Sequence, residues 1–262
     1  MLLDIARRFI DKNFPAVFCM TGQEWPEIVR FVRQTPNVEI IRPKYKVREI
    51  VEKYGFPLIS KEVSEYVYEA RTCKPGTKLR DKRLGKYGNH FAIPQKYRWL
   101  VDADFSVCHK CCYFLKKEPF HRYEKETRRL PLIGILAEES SLRKAEYIKR
   151  GGCNSFNGRI ASYPLSIWTR NDIWDYIAHN KLEYCSIYDK LEVKQTGCVF
   201  CGFGMHLNND KLRALYNLRP KMYDWMMKLT NNNVSYREAI RRCGVSLPDE
   251  FRDLFDSKNT TL

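Results

Sequence analysis

Five of the ten cysteines fall into two tight groups: Cys108, Cys111 and Cys112 in "CHKCCYFLKKEP", then Cys198 and Cys201 in "TGCVFCGFG". Two C-x-x-C pairs can converge on one tetrahedral zinc ion, because that spacing lets both thiolates turn toward the same point. A cubane iron–sulfur cluster also needs four thiolates, one for each iron. The adjacent pair Cys111-Cys112 suits the cluster better, since neighbouring helix positions diverge by about 100° and reach separate irons more readily than one small ion. The bland alternative is burial as small apolar side chains, and two groups this dense exceed what chance packing supplies. Lys116 follows Cys112 by four positions and so shares its helix face. A cation there would offset the charge of thiolates and of a bound anion. Lys117 lacks that spacing and reads as a solvated charge.

Other residues earn attention by position. Thr21 and Gly22 end a candidate strand, where open parallel sheets place their ligands. Glu138, Glu139, Ser140 and Arg143 follow a later strand candidate with the same logic, with Arg143 either an anion contact or a solvated helix face. Asp172 in "TRNDIW" reads as a charge at a helix start. None of the five histidines stands in a metal or triad spacing. Cys243 in "AIRRCGVS" has two arginines before it but neither acid nor histidine beside it. It reads as a buried helix end, with Gly244 as the stop, rather than as a nucleophile.

The elements that must position these residues alternate between the two periods. "LLDIARRFI" gives an apolar helical face, and "FPAVFCMT" and "VEIIRP" read as strands buried on both sides. Helices are expected over "PEIVRFVRQ", "KVREIVEKYG" and "SKEVSEYVYEAR". A helix through "CCYFLKKEPFHRYEKE" bends at Pro119, and "LPLIGILAEES" (130–140) is a third strand. "ASYPLSIW" is a short strand, Thr169 caps a helix over "TRNDIWDYIAHN", and "NDKLRALYNLRPKMYDWMMKLTNN" is the longest helical stretch. Strands alternating with helices indicate an α/β fold with a parallel sheet flanked by helices. The C-terminal part is read as helical, giving an α/β domain over 1–204 and a helical extension over 205–262.

The 262 residues are 44% hydrophobic, enough for a substantial core, and no run approaches the roughly 18 apolar residues of a membrane span. The N-terminus lacks a signal peptide's basic start and cleavage site, so a cytoplasmic protein with reduced thiols is expected. A net charge of +15 points to an anionic partner. Residues 71–100 concentrate it, with nine Lys or Arg against Asp81 alone, and read as an irregular basic insertion. Its cations and its Tyr87, Phe91, Tyr97 and Trp99 suit single-stranded nucleic acid as a partner, or make a basic surface loop.

"CCYFLKKEP" resembles the C-C-x-x-x-K-x-x-P element of the phosphoadenosine phosphosulfate reductase family, and "TGCVFCGFG" its later C-x-x-C element. The resemblance continues through "TGQEWPEIVRFV", "IRPK", "GILAEESSLRK" and "YPLSIWTRNDIWDYI", over roughly residues 14–205. It implies an adenine nucleotide α-hydrolase fold, related to ATP pyrophosphatases, that binds ATP or adenosine phosphosulfate for sulfur transfer, reduction or adenylation. It implies a [4Fe–4S] cluster on Cys111, Cys112, Cys198 and Cys201, with zinc as the alternative and Cys108 as an alternative ligand. It also implies nucleotide contacts from Thr21, Gly22, Lys116, Glu139, Ser140 and Arg143.

Two departures qualify that picture. The family's S-G-G-x-D-S phosphate loop has no counterpart here, the one Gly-Gly pair being Gly151-Gly152. The N-terminal strand and loop are expected to be missing and the chain therefore to be inactive on its own. The reductases' terminal Glu-Cys-Gly-x-His context is also lacking around Cys243. A metal-stapled nucleic-acid-binding protein, or a non-catalytic subunit in an oligomer, is the alternative reading.

Overall fold

The chain, described over residues 1–190 and 196–250 in a computed structural model, begins with helix α1 (Leu2–Phe9). Strand β1 (Ala16–Cys19), helix α2 (Pro26–Gln34) and strand β2 (Val38–Ile41) follow. Next come α3 (Val47–Tyr54), β3 (Leu58–Ile59), α4 (Lys61–Thr72) and α5 (Lys78–Arg83). After them lie α6 (Glu118–Thr127), α7 (Ser141–Arg150), β4 (Asn154–Ser155), β5 (Ala161–Ser162), α8 (Arg170–His179) and α9 (Ile187–Lys190). The last elements are β6 (Gly202–Phe203), α10 (Asp210–Leu218), α11 (Pro220–Met227), β7 (Thr230–Asn231), β8 (Val234–Ser235) and α12 (Tyr236–Arg242). The fold is α/β, and two of its strand pairs are parallel. Among the described residues no helix is long and apolar enough to cross a membrane.

The elements form two interleaved compact units. The first takes Met1–Cys19, Glu27–Ile41 and Glu118–Ser186. Its parallel pair β1–β2 sets Ala16 opposite Val38 and Cys19 opposite Ile41, with α2 as the crossover that parallel strands require. Arg7 of α1 ties together the approaches to β1 and β2 by donating to the carbonyls of Phe14 and Pro36. The apolar stripe of α1 is less buried than its pattern suggests: Ala6 is sequestered, but Phe9 is 78% exposed.

The third expected strand, 130–140, does not form as such. Leu132 makes one parallel bridge to Ser162, Ile133 N–H donates to the Ser162 carbonyl, and the chain then enters a 3-10 turn at Ala137–Glu139. Only β5, two residues long, forms in "ASYPLSIW". Thr169 caps α8 as expected, and Asp172 returns the bond by accepting from the Thr169 N–H and hydroxyl. That reciprocal cap holds the Asp172 carboxyl below its ordinary range and explains it as a helix-start charge.

The second unit takes Met20–Pro26, Arg42–Lys117 and the chain from Ile187 on. Its organising element is the apolar segment Phe56–Ile59. On one side Phe56 N–H donates to the Ser106 carbonyl at 2.9 Å, and Cys108 N–H donates to the Phe56 carbonyl at 2.8 Å. On the other, Leu58 and Ile59 pair in parallel with Gly202 and Phe203. Both approaches need glycine. A Cβ on Gly55 (φ +85°) would lie 1.9 Å from the Ser106 carbonyl oxygen, and one on Gly202 would lie 2.2 Å from that of Pro57. Phe56, Phe105, Phe200 and Tyr236 form the aromatic core around this segment.

The basic stretch 71–100 is ordered rather than irregular. Arg71 donates to the Leu100 and Ala103 carbonyls, so its guanidinium closes the 3-10 turn Gln95–Val101 against α4. Arg83 of α5 pairs with Glu69, covers the Tyr66 ring at 3.8 Å and donates to the Phe91 carbonyl. Ile93, Tyr97 and Leu100 are buried beneath. The expected long C-terminal helix breaks at Pro220, which opens α11, and a β7–β8 hairpin interrupts it again.

Candidate functional site

Cys111 and Cys112 begin the helical turn that follows Cys108, and the next residues, Tyr113–Lys117, widen into a π-helix. The widening comes just before Pro119, which has no N–H to return to Leu115 and so interrupts the regular ladder. Cys198 and Cys201 sit on a tight turn closed by Cys201 N–H donating to the Cys198 carbonyl at 3.1 Å. Two contacts pin that turn. Val199 N–H donates to the Gln23 carbonyl at 2.9 Å, and the fully buried Trp25 donates from Nε1 to the Thr196 carbonyl at 3.3 Å.

These supports bring the two cysteine groups to one place. Cys111, Cys112, Cys198 and Cys201 line a single cavity of about 20 Å³, with Gln23, Lys116 and the apolar Pro57, Leu115 and Phe200. Cys108 is buried nearby in sequence but does not line it. The four thiols surround the cavity without closing on one point. Among the described residues no group of three or more Cys, His, Asp or Glu side chains is set to hold a metal ion.

Burial governs the electrostatics. It raises the Cys111, Cys112 and Cys198 thiols above the ordinary range, and each is raised further by its cysteine neighbours. Cys108 is pushed up to about 11 for the same first reason. Burial therefore favours the protonated form at Cys111, Cys112 and Cys198, and the Lys116 charge works against it at Cys112 and Cys198. Lys116 is the counterweight. Desolvation alone would lower its ammonium, but the hydrogen bond and charge of Cys198, with Cys112 and Cys201, hold it above the usual lysine range.

Thr21 and Gly22 lie just past β1, which ends at Cys19, and their backbone makes a concavity that holds a carboxylate. The N–H groups of Thr21, Gly22 and Gln23 and the Thr21 hydroxyl all donate to one carboxylate, that of Glu24. Successive N–H groups around a left-handed glycine (φ +78° at Gly22) form such nests. Gln23 links nest to cavity: its backbone serves the first, and its side chain lines the second with Oε1 buried and unpartnered.

Glu139, Ser140 and Arg143 lie in the first unit, whereas Thr21, Gly22 and Lys116 lie in the second. Ser140 caps α7 by accepting from the Arg143 N–H at 3.2 Å, and the Arg143 guanidinium pairs with Glu139. Cys243 ends α12, is 5% exposed, and is raised to about 12 by burial, as fits a core thiol followed by Gly244.

Sequence reasoning missed Gln23, Glu24 and Lys211 at this site. Gln23 and Glu24 stand inside the quoted "TGQEW", and a carboxylate three residues after a threonine is a recognisable local cap. Lys211 carries no local signal, because its contacts to the carbonyls of Cys198 and Cys201 arise from the fold.

A profile of the phosphoadenosine phosphosulfate reductase domain matches residues 61–202, which include all four cavity cysteines and Lys116. An uncharacterized protein of Methanocaldococcus jannaschii is 28% identical over 241 residues, covering 90% of this chain and 46% of that protein. The adenosine 5'-phosphosulfate reductase of Staphylococcus saprophyticus is 29% identical over 106 residues, 38% of this chain and 40% of its own. That of Oceanobacillus iheyensis is 30% identical over 97 residues, 35% and 37% of the two chains. The chain spans less than half the length of these relatives.

Proposed function

Because the chain belongs to the phosphoadenosine phosphosulfate reductase family, we propose that it is an iron–sulfur protein acting on an adenine nucleotide in sulfur chemistry. On this reading Cys111, Cys112, Cys198 and Cys201 hold a four-iron cluster. The observation that carries it is the shared cavity: four thiols from two distant segments line one space that Lys116 also faces. Four thiols spaced around a volume suit a cubane, where each serves its own iron, better than zinc, which draws all four within about 2.3 Å of one ion. Such a cluster would supply a redox-active, negatively charged centre. Lys116 would offset that charge and face the phosphosulfate or phosphate of ATP or adenosine phosphosulfate, and the nest at Thr21 and Gly22 would take an anionic oxygen. Glu139, Ser140 and Arg143, already engaged with one another, are weaker candidates for nucleotide contact. A cytoplasmic setting suits the thiols, because it keeps them reduced.

Anaerobic purification tests the reading. About four irons and four sulfides per chain, with visible absorption, are expected; a colourless protein with one zinc overturns the cluster. Calorimetric titration with ATP and adenosine phosphosulfate then tests the nucleotide, and binding without turnover marks the chain as inactive alone.

A second reading, nucleic-acid binding by the 71–100 platform, has its own observation. Lys74, Lys78, Arg80, Lys82 and Lys96 have no carboxylate partner among the described residues, while Tyr87 and Phe91 are 63% and 46% exposed beside them in sequence. Fluorescence anisotropy with single-stranded RNA and DNA should show salt-sensitive binding that Lys78→Glu with Lys82→Glu abolishes. Absence of binding at low salt removes this reading.

A further inference from the structure

Lys211 of α10 lies ten residues beyond Cys201, outside both cysteine motifs. Its ammonium donates to the Cys198 carbonyl at 2.9 Å and to the Cys201 carbonyl at 3.3 Å. One cation therefore bridges both ends of the turn that carries two of the four thiols. No carboxylate pairs with it among the described residues; the adjacent Asp210 is engaged by Asn208. A half-buried ammonium satisfied only by neutral carbonyls is poorly compensated unless negative charge lies close by. The groups that favour its charge are Cys201 and Cys198, once ionised, against the opposing charge of Lys116.

We infer that Lys211 is a positioning residue of the cysteine centre. It clamps Cys198 and Cys201 at a fixed separation and adds, with Lys116, a second positive charge beside a thiolate-ligated occupant. Four thiolates around a dipositive core leave a net charge of about −2, which the two lysines offset. The charge-balancing half of this inference rests on the reading of the cysteines as a ligand set; the clamp does not.

Two measurements on the full chain separate the halves. In the metal-free, reduced protein, mass mapping of alkylation follows each thiol. Lys211→Met should speed modification of Cys198 and Cys201 about tenfold, the scale of one charge-assisted hydrogen bond, with Cys111 and Cys112 little changed. Lys211→Arg should restore the slow rates. An unchanged pattern, or equal acceleration at all four thiols, overturns the clamp. In the iron-loaded protein, Lys211→Gln keeps donors but removes charge. It should hold the turn yet move the reduction potential to a more negative value. An unmoved potential overturns the charge role. If the wild-type protein takes up no iron, the cluster reading and the charge role fall together, and the alkylation pattern still decides the clamp. Should Lys211→Met fail to fold, Lys211→Ala takes its place in the alkylation measurement, where selective acceleration at Cys198 and Cys201 supports the clamp and unchanged rates or a uniform rise overturn it.

Discussion

Replacing Gly202 by alanine should drive apart the two segments that bring the cysteine groups together. The added Cβ would lie 2.2 Å from the Pro57 carbonyl oxygen and 2.6 Å from the Tyr236 hydroxyl. The first is backbone, and the second belongs to a fully buried ring, so neither can move cheaply. Forcing a methyl into filled space costs about 1–3 kcal/mol. Displacing the Tyr236 hydroxyl breaks its 3.0 Å bond to the Phe200 carbonyl, and an unpaired buried hydroxyl costs about 1–3 kcal/mol more. A chain of this size shifts its Tm by about 2–4 °C per kcal/mol, so a fall on the order of 10 °C is expected. Gly204→Ala is the control, since a Cβ there meets open space and only its φ of +82° is strained. It should cost about 1 kcal/mol. Differential scanning calorimetry and iron analysis on both variants read stability and site together. If Gly202→Ala melts with Gly204→Ala and loads iron like the wild type, the β3–β6 pairing does not set the cysteine geometry.

Removing the Glu24 carboxylate should free the three N–H groups and the hydroxyl that it occupies. Glu24→Ala is thus expected to bind inorganic sulfate or adenosine phosphosulfate about tenfold more tightly by calorimetry; unchanged affinity would remove Thr21 and Gly22 from the anion site. Cys108→Ser should keep the iron content of the wild type, because Cys108 does not line the cavity, whereas Cys112→Ser and Cys198→Ser should lose it. Equal loss in all three would restore Cys108 as a ligand. Cys243, raised from 9.0 to about 12 by burial, binds its proton more tightly folded than unfolded. Its contribution to stability is full below pH 9 and is lost as pH rises toward 12. Cys243→Ala should therefore lack part of the alkaline fall in Tm seen in the wild type, and identical slopes would contradict the burial argument.

What the sequence made legible was local. Thr169 and Asp172 announce their cap because both partners lie within one turn, and Cys111, Cys112, Cys198 and Cys201 announce themselves by spacing. Arginines 71 and 83 misled because charge pattern cannot tell a guanidinium bound for phosphate from one that closes a turn on distant carbonyls. The strand expected over 130–140 failed for a related reason. Its apolar run is present, but a strand needs a partner edge, and Ser162 offers a single bridge. At Pro220 the expectation of one long C-terminal helix passed over a plain signal, since proline cannot continue a helix and α11 opens there.

The frame of the site is the least legible part, and its logic explains why. Phe56, Pro57, Leu58 and Ile59 carry no chemistry, yet their backbone meets Ser106 and Cys108 on one side and Gly202 and Phe203 on the other. Backbone pairing across such separations leaves almost no compositional trace, because any residue supplies an N–H and a carbonyl. The trace it does leave is negative: Gly55 and Gly202, where a single Cβ would collide with main chain. The four cavity thiols can thus be read from the residues that are present, and the geometry that unites them from the side chains that two positions cannot accept.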